Sequence, residues 1–186
     1  ALIVGLWGGP YLTHVYGYGL VERGDLLFIA AGGQVIGLLA NGPLERRIGG
    51  YKTVVVLGAL ASAALLLVLA ATGSLPRGLL VAWLFAFGLA SAFTPALIAH
   101  GKAQFPAALT GRGLTWLNMG SMGGVFLTQF VSGWIINQFP AEAGGAYPLT
   151  AYRLVFALQA AFILMMLVPY GLGKSQAERQ FSLQNK

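Results

Sequence analysis

The stretch from Leu114 to Phe139 contains no Asp, Glu, Lys, Arg or His, and this constrains the chain more than any other feature. A helix of that length rises past the ~30 Å hydrocarbon core of a bilayer. It is not uniformly greasy. Gly120, Gly124, Thr128 and Ser132 recur at every fourth position, a small-residue stripe that lets a second helix approach closely in lipid. Asn118 and Gln129 are eleven residues apart, three helical turns, so they share a face that starts roughly opposite the stripe. The expectation is a helix that packs on one side, presents amides on another, and sits inside a bundle.

Composition generalises this. The chain is 57% apolar and 9% charged with a mean hydropathy of +0.75, against about 25% charged in soluble domains. The net charge of +6 is scattered through short connections without a basic run, which excludes nucleic acid as the partner and leaves the lipid bilayer. With no cysteine, two histidines and five acids, there is no disulfide framework and no thiolate site, and neither a metal nor a cofactor is expected.

In order, the chain reads as six spans. The apolar opening through Trp7 is too short to cross before Pro10, and is expected to be the end of a helix begun upstream, so that the chain is a fragment. Leu26 to Pro43 is the second span, with Gly33 and Gly37 in G-x-x-x-G spacing. The third is Thr53 to Thr72, the fourth Leu79 to about Ala99, the fifth Leu114 to Phe139 and the sixth about Tyr152 to Gly171. Alternating spans place Arg46, Arg47, Lys52, Lys102, Arg112, Lys174, Arg179 and Lys186 on one side and Arg23, Arg77 and Arg153 on the other. The positive-inside bias makes the first side, and the tail 172–186, cytoplasmic. The expected setting is the plasma membrane.

Polar content sorts the spans. The third has only Ser62 in its interior and the sixth only Gln159, so both are expected to face lipid. The second, fourth and fifth carry amides and hydroxyls, as interior helices should. Divided at the turn 73–77, the chain gives two triples, 1–72 and 78–171, each with a proline-containing first helix and a bland third one. This is the pattern of two inverted three-helix repeats in a single all-α membrane bundle, the first helix truncated. Gly/Pro-interrupted helices in matching repeat positions mark a transporter's binding region.

Three segments carry a resemblance: Gly5-Leu-Trp-Gly-Gly-Pro10-Tyr-Leu; Gly42-Pro-Leu-Glu-Arg-Arg-Ile-Gly49-Gly-Tyr-Lys52; and Gly111-Arg-Gly113 followed by Asn118 and the glycines of the fifth span. Through them the chain resembles the C-terminal six-helix half of a major facilitator superfamily transporter over nearly its whole length. The family motif after the second helix, Gly-x-Leu-Ala-Asp-Arg-x-Gly-Arg-Lys, is matched at Gly42, Leu44, Arg47 and Gly49. Arg46 stands in the Asp position, Glu45 is displaced by one, and Gly50 and Tyr51 replace the basic pair. The resemblance implies secondary active transport of a small-molecule substrate by alternating access, a missing N-terminal six-helix half of the same protein as partner, and a first helix of each triple that lines the cavity.

The candidate substrate-binding residues are Trp7, Tyr11, Gln34, Ser91, Thr94, Asn118 and Gln129. Each has a structural alternative. The amides serve equally as glue between helices, the aromatics as interfacial anchors, and Ser91 and Thr94 as partners for carbonyls freed by Pro95. Asn118 and Gln129 lie about 16 Å apart along a helix axis, so one small solute cannot touch both. No Asp or Glu lies within a span as read here, so an ion-coupling acid is expected upstream of Ala1. His14 and His100 sit near span ends and read as loop histidines. Ser121 lacks the surrounding pattern of an intramembrane serine hydrolase, and no His-Glu-x-x-His occurs, so catalysis is not expected. The alternative class is a non-transporting membrane scaffold or receptor. Nothing in the sequence specifies the solute.

Overall fold

The computed structural model describes residues 4–48, 50–142 and 145–173. Among them the chain is helical, with no strand. A π-helical turn Val4–Gly8 runs into α1 (Gly9–Tyr16). Then follow α2 (Leu20–Ile48), α3 (Tyr51–Thr72), α4 (Arg77–Ala90), a 3-10 turn Ser91–Phe93, α5 (Thr94–Lys102), a 3-10 turn Ala107–Leu109, α6 (Thr110–Ile136) and α7 (Leu149–Leu172). Five stretches are long and apolar enough to cross a membrane: Leu20–Ile48, Tyr51–Thr72, Arg77–Lys102, Ala107–Ile136 and Leu149–Leu172. The remaining helix of the expected six, Val4–Tyr16, is shorter than a span.

Two boundaries move. The polar stretch after Pro10 is helical as far as Tyr16, and α2 begins at Leu20 and continues through Pro43 to Ile48. Proline is tolerated in such helices because neighbours satisfy the backbone it frees. The motif Gly42–Arg47 is therefore the last part of a helix, not a loop; Glu22 lies in the first turn of α2, Asp25 in the second and Glu45 in the last.

In lipid, apolar surface gains nothing by leaving its surroundings, so helices associate through close packing. The tightest crossing is α2 on α4. A Cβ on Gly33 would run into the Phe85 carbonyl, one on Gly88 into the Ala30 carbonyl, and one on Gly37 would lie 2.6 Å from both Ala92 Cβ and Leu89 O. Here the backbones touch, as the G-x-x-x-G spacing predicts. The other main pairing is α3 with α7, where Leu66, Leu69, Val155, Phe156 and Ala160 are buried.

This corrects the sorting by polarity. Among the five spans α3 is the most buried and α6 the least. The third and sixth spans were expected to face lipid, but α3 and α7 each turn one face into the middle of the chain's own core and the other outward. The fifth span was expected inside. Instead α6 packs chiefly against α5 and α7, and an added Cβ at Gly120, Gly123 or Gly124 meets nothing within 4 Å. Of the stripe, only Ser132 is buried. Bland composition proved compatible with a central position because Ala, Val and Leu pack as well against helices as against lipid.

The ends alternate as expected. At one end Lys52 Nζ donates to Gly173 O at 2.7 Å, joining the start of α3 to the end of α7, and His100 at the end of α5 meets Tyr170. At the far end Tyr11 donates to Gly73 O at 2.7 Å, and Arg153 reaches the carbonyls of Ala70 and Ala71 at 2.7 and 2.9 Å. Gly73 closes α3 at φ 75°, a left-handed backbone that favours glycine. The basic tail from Lys174 lies outside the described residues.

Candidate functional site

The fourth span is broken. Pro95 has no N–H to continue the helix, and the chain passes through the 3-10 turn 91–93 before resuming as α5. Asn41 of α2 donates from Nδ2 to Ala92 O at 2.6 Å, inside the break. Ser91 Oγ donates back to Gly88 O at 3.1 Å, a bond within its own turn. Thr94, just past the break, is exposed.

Across from it stands α6. Thr94, Leu97 and Ile98 of α5 with Leu114, Leu117, Asn118 and Ser121 of α6 line a groove of about 230 Å³. Two of the candidate residues, Thr94 and Asn118, thus share one concavity, joined by a hydroxyl at Ser121 that the candidate set omitted. The lining offers two hydroxyls and an amide without a charged group, a surface for hydrogen bonding a solute. A second groove of about 330 Å³ adjoins it at the basic end, sharing Leu97 and Leu117 and adding His100, Gln104 and Tyr170.

The other candidates lie elsewhere. Tyr11 is a core residue, 3% exposed, with its hydroxyl on Gly73 O and its ring edge-on to Phe156 and Tyr152. Trp7 is half-buried and donates from Nε1 to Ser132 Oγ at 2.8 Å, tying the first helix to the small-residue stripe of α6. Gln34 is half-buried at the α2–α4 crossing, its backbone N 2.9 Å from where a Cβ on Gly88 would lie. Gln129 is exposed on α6, and its backbone carbonyl accepts from Ser132 Oγ at 3.1 Å. Tyr11 and Trp7 therefore serve packing and cross-helix bonding. Position near a Gly-Gly-Pro break could not separate those roles from stacking on a ligand.

Both histidines were undervalued. Neither is in a loop. His14 lies in the last turn of α1 with its Nδ1 2.7 Å from Tyr152 Oη, and His100 in the last turn of α5 with its Nδ1 2.7 Å from Tyr170 Oη. Two tyrosines eighteen residues apart on one apolar span were the signal available in the sequence.

Fold and site define a polytopic helical membrane protein with a broken helix flanking an uncharged groove. The sequence profile of the Major Facilitator Superfamily matches residues 2–184, and the chain belongs to that superfamily, a family of transporters. No individual curated protein and no solved structure matches it significantly.

Proposed function

We propose that the chain is the C-terminal six-helix half of a secondary transporter that moves a small solute across the plasma membrane by alternating access, built as two inverted repeats over 1–72 and 78–171 with its basic end in the cytoplasm. The observation that carries this reading is the groove shared by Thr94, Asn118 and Ser121 beside the broken fourth span. Unwound segments within transporter helices are where substrates bind, because backbone and side-chain polar groups there are not consumed by the helix. The groove supplies hydrogen bonds and no charge, which suits a neutral polar portion of the solute. Gln34 and Gln129 extend the half-site toward the far end.

The open face of α6 supports the second half. Trp116, Met119, Met122, Phe126, Phe130 and Trp134 are exposed beside the uncovered glycines, a surface of large and small residues that a second helical bundle can interleave.

Single cysteines at Asn118 and Gln129 in the full-length protein, probed with a membrane-impermeant maleimide in right-side-out and inverted vesicles, test the reading. Alternating access exposes each position to both sides in turn, so both should label in both vesicle orientations. Labelling confined to one side in every condition would favour a static scaffold or receptor and overturn the proposal.

A further inference from the structure

The groove of about 330 Å³ at the basic end is built differently from its uncharged neighbour. One part of its wall is apolar, made by Leu97 of α5, Leu117 of α6 and Pro169 of α7. The other part is polar: His100 in the last turn of α5, Gln104 in the turn that follows, and Tyr170 near the end of α7. Gly173, which closes α7, completes the rim. Its carbonyl accepts from Lys52 Nζ at 2.7 Å, so the ammonium group of α3 stands at the mouth of the groove.

The polar part ends in donors. The Gln104 amide donates from Nε2 to His100 Nε2 at 3.1 Å. That ring nitrogen is therefore an acceptor, the ring proton sits on Nδ1, and Nδ1 donates to Tyr170 Oη at 2.7 Å. The Tyr170 O–H is left without an acceptor among the described residues. Lys52 has three N–H donors, of which the Gly173 carbonyl takes one. A positive charge and a hydroxyl donor thus meet at one groove, and no carboxylate lines it. Among the described residues the acid at this end is Glu45, on α2, a helix that contributes nothing to the lining.

We propose that this groove binds the headgroup of an anionic phospholipid, with its phosphate on Lys52 and Tyr170 and the start of its acyl chains along Leu97, Leu117 and Pro169. The placement favours a lipid over a soluble anion. His100, Gln104, Gly173 and Lys52 lie where α5 and α7 end and α3 begins, the level at which spans leave the hydrocarbon for the headgroups. Leu97 is about a turn deeper on α5 than Gly101, and a free phosphate would leave that apolar wall without a partner. Basic pockets between spans at the cytoplasmic surface suit anionic headgroups, and the basic end is the one proposed above to face that side.

Native mass spectrometry tests this without reference to transport. The purified full-length protein is released from micelles holding phosphatidylglycerol and phosphatidylcholine with identical chains in equal amounts, and the retained lipid is identified by mass. Phosphatidylglycerol should be retained in preference. Lys52→Gln should lower its retention about fivefold, the weight of one basic side chain at an anionic surface, and Lys52→Arg should keep it. Because Lys52→Gln also weakens the bond between α3 and α7, Tyr170→Phe provides a second reading. It preserves the ring, removes the hydroxyl and should lower retention as well. Arg46→Gln makes the same charge change at an exposed position of α2 at this end and should leave retention as in the parent. Equal retention in the parent, Lys52→Gln and Tyr170→Phe would overturn the proposal. So would an equal loss in Arg46→Gln, which would mean diffuse attraction to the basic end, or displacement of the lipid by inorganic phosphate, which would mean a site for soluble anions.

Discussion

Gly88 and Gly124 are indistinguishable as letters in apolar helices, yet they meet different surroundings. A Cβ on Gly88 would strike the Ala30 carbonyl, whereas one on Gly124 meets nothing within 4 Å. A backbone carbonyl cannot rotate aside as a side chain can, so Gly88→Ala forces α2 and α4 apart. The expected cost is on the order of 1–3 kcal/mol, the usual scale for overpacking. Gly124→Ala should leave the melting temperature of the purified protein unchanged or slightly higher, since alanine is the better helix former by about 1 kcal/mol. A thermal unfolding comparison decides it: equal melting temperatures for the two variants would show that α2 and α4 do not cross at Gly88. At this scale the sequence was legible only in part. The spacing of Gly33 and Gly37 announced close packing and was right, while of the more regular stripe on α6 only Ser132 meets a partner among the described residues, Gly120 and Gly124 standing open. Tyr11 and Trp7 show the same dependence on partners distant in the chain. A hydroxyl or indole N–H that ends on Gly73 O or Ser132 Oγ looks, in one dimension, identical to one that awaits a ligand.

Among the elements, the fourth span shows what one sequence can and cannot reveal. Pro95 marked the break, and the 3-10 turn is there. What closes it was hidden, because Asn41 is some fifty residues away in another helix and bonds Ala92 O only through the α2–α4 crossing. Asn41→Leu removes that donor at a cost of about 1 kcal/mol, the scale of interhelical hydrogen bonds in membranes. The loss should be local. Hydrogen exchange followed by mass spectrometry should speed up across 91–96, whereas Asn118→Leu, which alters the groove wall alone, should leave those amides as they were. Unchanged exchange in Asn41→Leu would mean that the break is held by Pro95 and Ser91 without help from α2. The same long-range dependence explains why the meeting of Thr94 and Asn118 in one groove escaped the sequence. The residue types were identifiable, but their pairing depends on the register of α5 against α6, which composition does not encode.

For the whole molecule, the arrangement of ends turns a charge count into a geometric statement. Lys52 and Lys102 lie at the end where α3 begins and α5 ends, and Arg23, Arg77 and Arg153 lie at the other. Each basic side chain near the cytoplasmic leaflet gains about 1 kcal/mol from anionic lipid, so the end richer in lysine and arginine should face inward. Exposed positions without side-chain bonds make the cleanest reporters: Ser74, in the turn after α3, and Lys102, at the end of α5. The sequence contains no cysteine, so Ser74→Cys and Lys102→Cys each introduce a single thiol into this chain. With a membrane-impermeant maleimide applied to intact cells, Ser74→Cys should label at once and Lys102→Cys only after permeabilisation. The reverse pattern would keep the fold and invert its orientation. Labelling of both from outside would place two opposite ends of the bundle on one side of the membrane, and the alternation of α2 to α7 as membrane spans would fail with it.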